Sequence, residues 1–383
     1  MERCYCCQNQ HQMSKDAVPS WSKGGQLSLA IQTCNKMWVQ SLLSVPDQDF
    51  DIKKGNYICQ ASDKGDKDIM LELLAAGADP NEESSVCAKR PVHICAENGH
   101  LGAMEVLVRY GADINQLDAH KRTVMHFASQ QGHGHSIEWL IDHGALADEI
   151  EMDGYSPLHV ATCLGYKTAC RSLLTLGKAE VNRLSKDSWS SLHMAASYGH
   201  PEIVKMLLSF GASHAQKTAE GETALHMACA KGFIDICQVL LDHGTHIESC
   251  NIHGATPLHY AVYYGHIQVV YRLLKSGASV NFLHLPAISC PVNISAMRGD
   301  QDMLDLLQCA GCVVRQDTAA LLYQRKNISA QYRNSISRSP SLRDLCIWKV
   351  RLVLAPDLQN KTIFLPLPRV VKDVIMLHRL VIR

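Results

Sequence analysis

The histidines invite a chemical reading first. Six of the 20 recur as His93, His126, His159, His193, His226 and His259, at intervals of 33, 33, 34, 33 and 33 residues. Imidazoles in such number could bind a metal or act as general bases, but zinc ligands come in short sequence clusters, and these rings are each a whole interval apart. Cysteines offer a second candidate chemistry. Two C-x-x-C pairs, Cys4/Cys7 and Cys309/Cys312, stand at opposite ends of the chain and cannot share an ion. Each would need ligands from elsewhere, and no further C-x-x-C or H-x-x-x-H lies near in sequence. The paired carboxylates Glu82/Glu83 and Asp148/Glu149 fall between the periodic segments. With nothing apolar around them to raise a pKa, they read as solvated charge. No P-loop, G-x-S-x-G, H-E-x-x-H or strand-linked G-x-G-x-x-G occurs. The expectation is a protein that is not an enzyme and carries no catalytic residues, metal or cofactor.

The elements that position these residues follow from a second marker. Gly77, Gly111, Gly144, Gly177, Gly211, Gly244, Gly277 and Gly311 recur every 33 or 34 residues, in step with the histidines. Two registers agreeing over eight periods define a repeat. Within one period, Ala255-Thr256-Pro257-Leu258-His259-Tyr260-Ala261 places a capping hydroxyl and a proline with preset φ at a helix start. Leu258 and Ala261 point inward. Gly265-His266 ends that helix, and Val269, Val270, Leu273 and Leu274 form the apolar stripe of a second, antiparallel one. Gly277 closes it, and a short polar connection remains, long enough for a projecting β-hairpin. Val124 and Ser191 replace the proline in two repeats, which loosens those helix starts slightly.

Composition sets the bounds. At 383 residues the chain exceeds one ordinary core, so several domains or a repeat array must hold it together. Most of the 16 cysteines fall where a small buried residue belongs in a helix, as do Cys95, Cys163, Cys229 and Cys237, which predicts reduced, buried thiols. Residues 315–383 hold 13 Lys/Arg and 4 Asp/Glu, against 24 and 33 in residues 1–314, so a basic tail follows an acidic body. The tail's cations alternate with Leu, Val and Ile at helical spacing, which argues against nucleic acid or membrane as a partner. The first twenty residues lack the apolar core of a signal peptide, and no stretch reaches 18 apolar residues, so the expected location is cytoplasmic or nuclear.

On these motifs the chain resembles the ankyrin repeat. The T-P-L-H-x-A signature is also matched by Ser156-Pro157-Leu158-His159-Val160-Ala161 and Thr223-Ala224-Leu225-His226-Met227-Ala228. The resemblance implies an all-α fold with short β-hairpins, stacked as a solenoid, in which the imidazoles tie neighbouring hairpins together. It divides the chain into a disordered N-terminus (1–22), a degenerate capping helix pair (23–53), eight repeats (54–314) and a linker (315–339). The terminal repeats depart from the motif, with Tyr57-Ile58-Cys59 and Pro291-Val292-Asn293, as units with one unshared face do.

Residues 340–383 form a different unit. Ser341 can cap a helix whose Leu342, Leu345, Cys346, Val350 and Val353 make an apolar stripe too short to stand alone in water. Ile363-Phe364-Leu365-Pro366-Leu367-Pro368 then leads into a second short amphipathic helix through Val370, Val374 and Leu377. These residues resemble a SOCS box, a small three-helix unit, and the whole chain resembles the ankyrin repeat and SOCS box family. The resemblance implies that Leu342, Cys346 and Val350 insert into Elongin C of the Elongin B/C pair. It implies equally that Leu365, Pro366, Leu367 and Pro368 contact a cullin scaffold of the cullin-five type with its RING protein. Ile347 stands where the family often has Arg. The implied function is substrate recognition for a cullin-RING E3 ubiquitin ligase, delivering a client protein for ubiquitination and proteasomal degradation in intracellular signalling. The alternative is an ankyrin scaffold whose C-terminal helices only cap the array.

Client-binding positions follow from place in the repeat. The residue before the capping Thr or Ser sits on the hairpin, and the two residues before the first helix's Gly face the groove. Aromatic, Arg and aliphatic residues there are interface anchors. Arg122, Tyr155, Leu164, Trp189, Tyr198, Tyr263 and Tyr264 are the candidates.

Overall fold

The computed structural model describes residues 22–45, 50–52, 55–84, 88–281, 290–310 and 312. The segments assigned above to the disordered N-terminus (1–21 of it), the linker and the SOCS box lie outside these residues, with Leu342, Cys346, Val350 and Leu365 to Pro368 among them. The chain divides into two compact units, residues 1–186 and 187–383. Among the described residues there are 18 helices and no sheet.

In the first unit the helices come as five antiparallel pairs: α1 (Lys23–Gln32) with α2 (Lys36–Ser44), α3 (Tyr57–Lys64) with α4 (Lys67–Ala75), α5 (Pro91–Asn98) with α6 (Leu101–Arg109), α7 (Val124–Gln131) with α8 (Gly134–Asp142), and α9 (Pro157–Cys163) with α10 (Lys167–Thr175). The second unit has four: α11 (Ser191–Tyr198) with α12 (Pro201–Ser209), α13 (Ala224–Lys231) with α14 (Ile234–Asp242), α15 (Pro257–Tyr264) with α16 (Ile267–Lys275), and α17 (Pro291–Arg298) with α18 (Gln301–Cys309). Within each unit the first helices of successive pairs pack on one another, and so do the second helices α2 with α4, α4 with α6, α8 with α10, α12 with α14, α14 with α16 and α16 with α18.

Helices of seven to ten residues are marginal alone. Stacking is what stabilises them, and the two helices of a pair are used differently. In α7 the run Val124 to Ser129 is buried without a break, because this helix is enclosed by α5, α8 and α9. Small residues allow the close approach: Ala128, Ala161, Ala195, Ala228 and Ala261 are all fully buried at the same register. The second helix of each pair buries one stripe. In α16 these are Val269, Val270, Leu273 and Leu274, the residues that the periodicity assigns inward. Each contributes about 1.5–3 kcal/mol by leaving water.

The helix starts at Val124 and Ser191 fall at the same register as those with proline, and the same cap spans them. One interval is a residue longer than its neighbours, that from His159 to His193. The extra residue is Lys178. Gly177 keeps a negative φ there and Lys178 takes φ +48° instead, so the chain reaches Ala179, whose N–H returns to the Leu173 carbonyl at 3.1 Å.

The expected β-hairpins are corrected to tight turns. Among the described residues only isolated bridge positions occur, Leu184 and Ser190. The cause is local. Asp118 N–H donates to the Arg122 carbonyl at 3.0 Å and Lys121 N–H to the Asp118 carbonyl at 3.0 Å, closing the turn in five residues. The Asp118 carboxylate then accepts the N–H groups of His120 and Arg122, at 2.8 and 2.7 Å, occupying donors that a strand ladder would use. Consecutive turns touch through single bonds, such as Met152 N–H to the His120 carbonyl at 3.1 Å and, in the second unit, Ile252 N–H to the Glu220 carbonyl at 3.0 Å.

Candidate protein-binding surface

The repeated histidines are structural. His126 Nδ1 accepts the backbone N–H of Thr123 at 3.1 Å and lies 3.0 Å from its hydroxyl, while Nε2 lies 3.0 Å from the Tyr155 carbonyl in the next repeat. A carbonyl can only accept, so the proton sits on Nε2 and Nδ1 is left as acceptor. This is a capping box with His in place of the usual Glu or Gln. Thr123 therefore caps in partnership with the ring, a refinement of the simple hydroxyl cap. His226 repeats the arrangement, with Nε2 on the Ala255 carbonyl at 3.1 Å. His193 and His93 keep the Nδ1 contact to the cap N–H but place Nε2 on carbonyls 23 residues on, Gln216 at 3.1 Å and Gln116 at 3.0 Å, with Arg90 in place of the hydroxyl residue at His93. Burial pushes His93, His126, His226 and His259 down to about 4, so these rings are neutral at physiological pH.

A second row of inter-repeat ties lies beside the first helices' ends, and sequence reasoning missed it by reading Gly-His only as a helix stop. The His133 ring sits beneath Gly99 and its Nε2–H donates to the Glu97 carbonyl at 3.1 Å. His100 does the same to the Asp63 carbonyl and, in the second unit, His266 to the Ala230 carbonyl. The signal was present, since His100, His133, His200 and His266 keep the repeat's register. Asn81 and Asn115 add further ties, their side-chain amides donating to the Gly111 and Gly144 carbonyls at 3.1 Å.

Against this frame the seven candidate client contacts separate into two kinds. Arg122, Tyr155 and Trp189 are half-buried on the turns. Arg122 forms an ion pair at 2.7 Å with Asp118, whose side chain is fully buried, and its guanidinium stands 4.5 Å above the Phe127 ring. Tyr155 meets His159 edge-on at 5.9 Å in the first unit, and Trp189 meets His193 at 6.3 Å in the second. Leu164 in the first unit, and Tyr198, Tyr263 and Tyr264 in the second, are exposed at 38%, 55%, 58% and 50%. The Tyr263 and Tyr264 rings cross at 84° with centroids 5.0 Å apart, and Tyr264 stacks on His266.

The other candidate chemistries resolve as follows. Glu82 is not simply solvated: it is half-buried, and burial raises its carboxyl above the usual range, opposed by the Asn56 N–H that it accepts. Asp148 is bound by Arg183 at 2.7 Å. Cys95, Cys163, Cys229 and Cys237 are buried thiols outside any disulfide, and burial holds Cys95 at about 12. Cys4 and Cys7 lie outside the described residues. Cys312 has a thiol neighbour that spacing did not suggest, Cys290 at 3.8 Å. Among the described residues no group of three or more His, Cys, Asp or Glu is placed to hold a metal, and no helix is long and apolar enough to cross a membrane.

A family model described as ankyrin repeats (three copies) matches the chain over residues 58–150, 92–185, 146–218 and 192–283, which together span more than half of it. No curated protein matches it.

Proposed function

Since the chain belongs to the ankyrin-repeat family, we propose that it binds a client protein on its exposed first-helix ends and turns, and serves as the substrate-recognition subunit of a cullin-RING ubiquitin ligase. The observation that supports client binding is the outward display of Tyr198, Tyr263 and Tyr264 at 50% exposure or more, at first-helix ends of a frame whose core stripe is buried in the repeat register. Large amphipathic rings held by neighbours lose little entropy on binding. The ligase role is supported by sequence order: Leu342, Cys346 and Val350, then Leu365-Pro366-Leu367-Pro368, follow the repeat array.

In this reading the chain breaks no bond itself. Leu342, Cys346 and Val350 dock as a helix in the groove of Elongin C, and the proline element meets the cullin. The client is thereby held close to a recruited ubiquitin-conjugating enzyme, and its lysines react at high effective concentration. Co-purification with Elongins B and C tests the role. Retention by the intact chain with loss on Leu342→Ala plus Cys346→Ala supports it. No retention by the intact chain leaves an ankyrin scaffold whose C-terminal helices serve only as a cap.

A further inference from the structure

The second unit differs from the first at the ends of its first helices. In α11, α13, α15 and α17 there is no Asp or Glu at all. Their last residues are Tyr198, Lys231, the pair Tyr263 and Tyr264, and the pair Met297 and Arg298, all exposed. The corresponding ends in the first unit are mixed: Asp63 and Lys64 in α3, Glu97 and Asn98 in α5 with Glu97 paired to Lys89 at 2.7 Å, Gln131 in α7, and Cys163 followed by Leu164 in α9, with no aromatic ring among them. Arg298 is held in place, its guanidinium donating to the Tyr263 carbonyl beside Gly265. The row is therefore aromatic and cationic, with rings and guanidinium already ordered by their neighbours.

Spacing restricts what fits. Successive first helices are in contact, and packed helix axes lie about 8–10 Å apart. An extended chain of the polyproline type advances about 3.1 Å per residue with three residues per turn, so every third side chain returns to one face after roughly 9 Å. We propose that this row binds an extended acidic segment of the client in which every third residue faces the protein: an apolar residue on Tyr198, a carboxylate on Lys231, an apolar residue or proline on Tyr263 and Tyr264, and a carboxylate on Arg298. The inference rests on the client-binding reading above and names the chemistry of the client. The chain's own C-terminal tail is excluded as occupant by its charge, being basic itself.

The test is selection of a random 16-residue displayed peptide library on the full-length chain, followed by anisotropy titration of enriched peptides bearing fluorescein. Enriched peptides should carry acidic and apolar residues alternating at intervals of three. Lys231→Glu and Tyr264→Ala, both exposed and expected to melt as the wild type does, should each weaken binding about tenfold. A peptide with its acids changed to Lys should prefer the Lys231→Glu protein. Enriched peptides without acidic residues, or peptides indifferent to both variants and lost on Leu164→Asp, overturn this inference and leave client binding standing. Enrichment of no peptide overturns both.

Discussion

A Cβ on Gly99 would stand 2.8 Å from Cε1 of the His133 ring, so the missing side chain of one residue is the seat of the other. The glycine is also at φ +73°, and two separate demands therefore meet at one position. Gly111 has φ +90° and nothing within 4 Å of its Cβ site, and it meets only the first demand. Gly111→Ala should cost about 1 kcal/mol for the backbone. Gly99→Ala should cost about 3 kcal/mol because the ring must also move. Urea midpoints of the two variants check this, and adding His133→Ala to Gly99→Ala should recover part of the difference.

The buried imidazoles make stability depend on pH in a defined window. Their folded pKa is lowered to about 4 from 6.5, so the neutral form favours the fold. The contribution is present in full above pH 6.5, declines as the unfolded chain takes up protons below it, and is gone once pH passes 4. Each ring contributes up to about 3 kcal/mol. Urea unfolding at pH 7, 6, 5 and 4.5 should show this decline, and His126→Gln should make it shallower. A flat profile over that range contradicts the assignment.

Arg122 and Asp118 should be coupled. Removing the guanidinium leaves a buried carboxylate with backbone donors alone and strips the cation from the Phe127 ring. Arg122→Ala should cost about 2 kcal/mol, and a double-mutant cycle with Asp118→Ala should give a coupling of about 1–2 kcal/mol. Any loss of client binding in Arg122→Ala has to be compared with that loss of stability.

Thiol accessibility separates the cysteines. Cys34 is exposed, whereas Cys95 and Cys229 are fully buried with their pKa values pushed up by that burial. At pH 8 a thiol of pKa 12 is thiolate in only about one molecule in ten thousand. Iodoacetamide followed by peptide mapping should label Cys34 in native protein and reach Cys95 and Cys229 only in urea. Equal rates at all three would contradict the packing.

The repeat was legible because it is written twice, in His126 and in Gly144 and their equivalents, and because the apolar stripe of α16 follows helical spacing residue by residue. The turns were harder. Asp118 reads as an ordinary polar loop residue, and only its position in space shows its carboxylate taking the donors that would build a hairpin. His133 was in plain sight after Gly132, yet its partner, the Glu97 carbonyl, is 36 residues back, and nothing in a linear scan joins them. Exposure separated candidates that looked equivalent as letters: Arg122 and Tyr264 are both interface types, but one is engaged inside its own repeat and the other is half open to solvent.

The ties formed by His126 and His133 have a bearing on how each unit comes apart. His126 reaches one helix pair forward and His133 one pair back, and neither reaches further. Such a lattice carries load only from neighbour to neighbour. Pulled or heated from a free end, it sheds its pairs in succession, like rungs lifted one at a time from a ladder. A whole period removed by gene surgery would leave edges that still match.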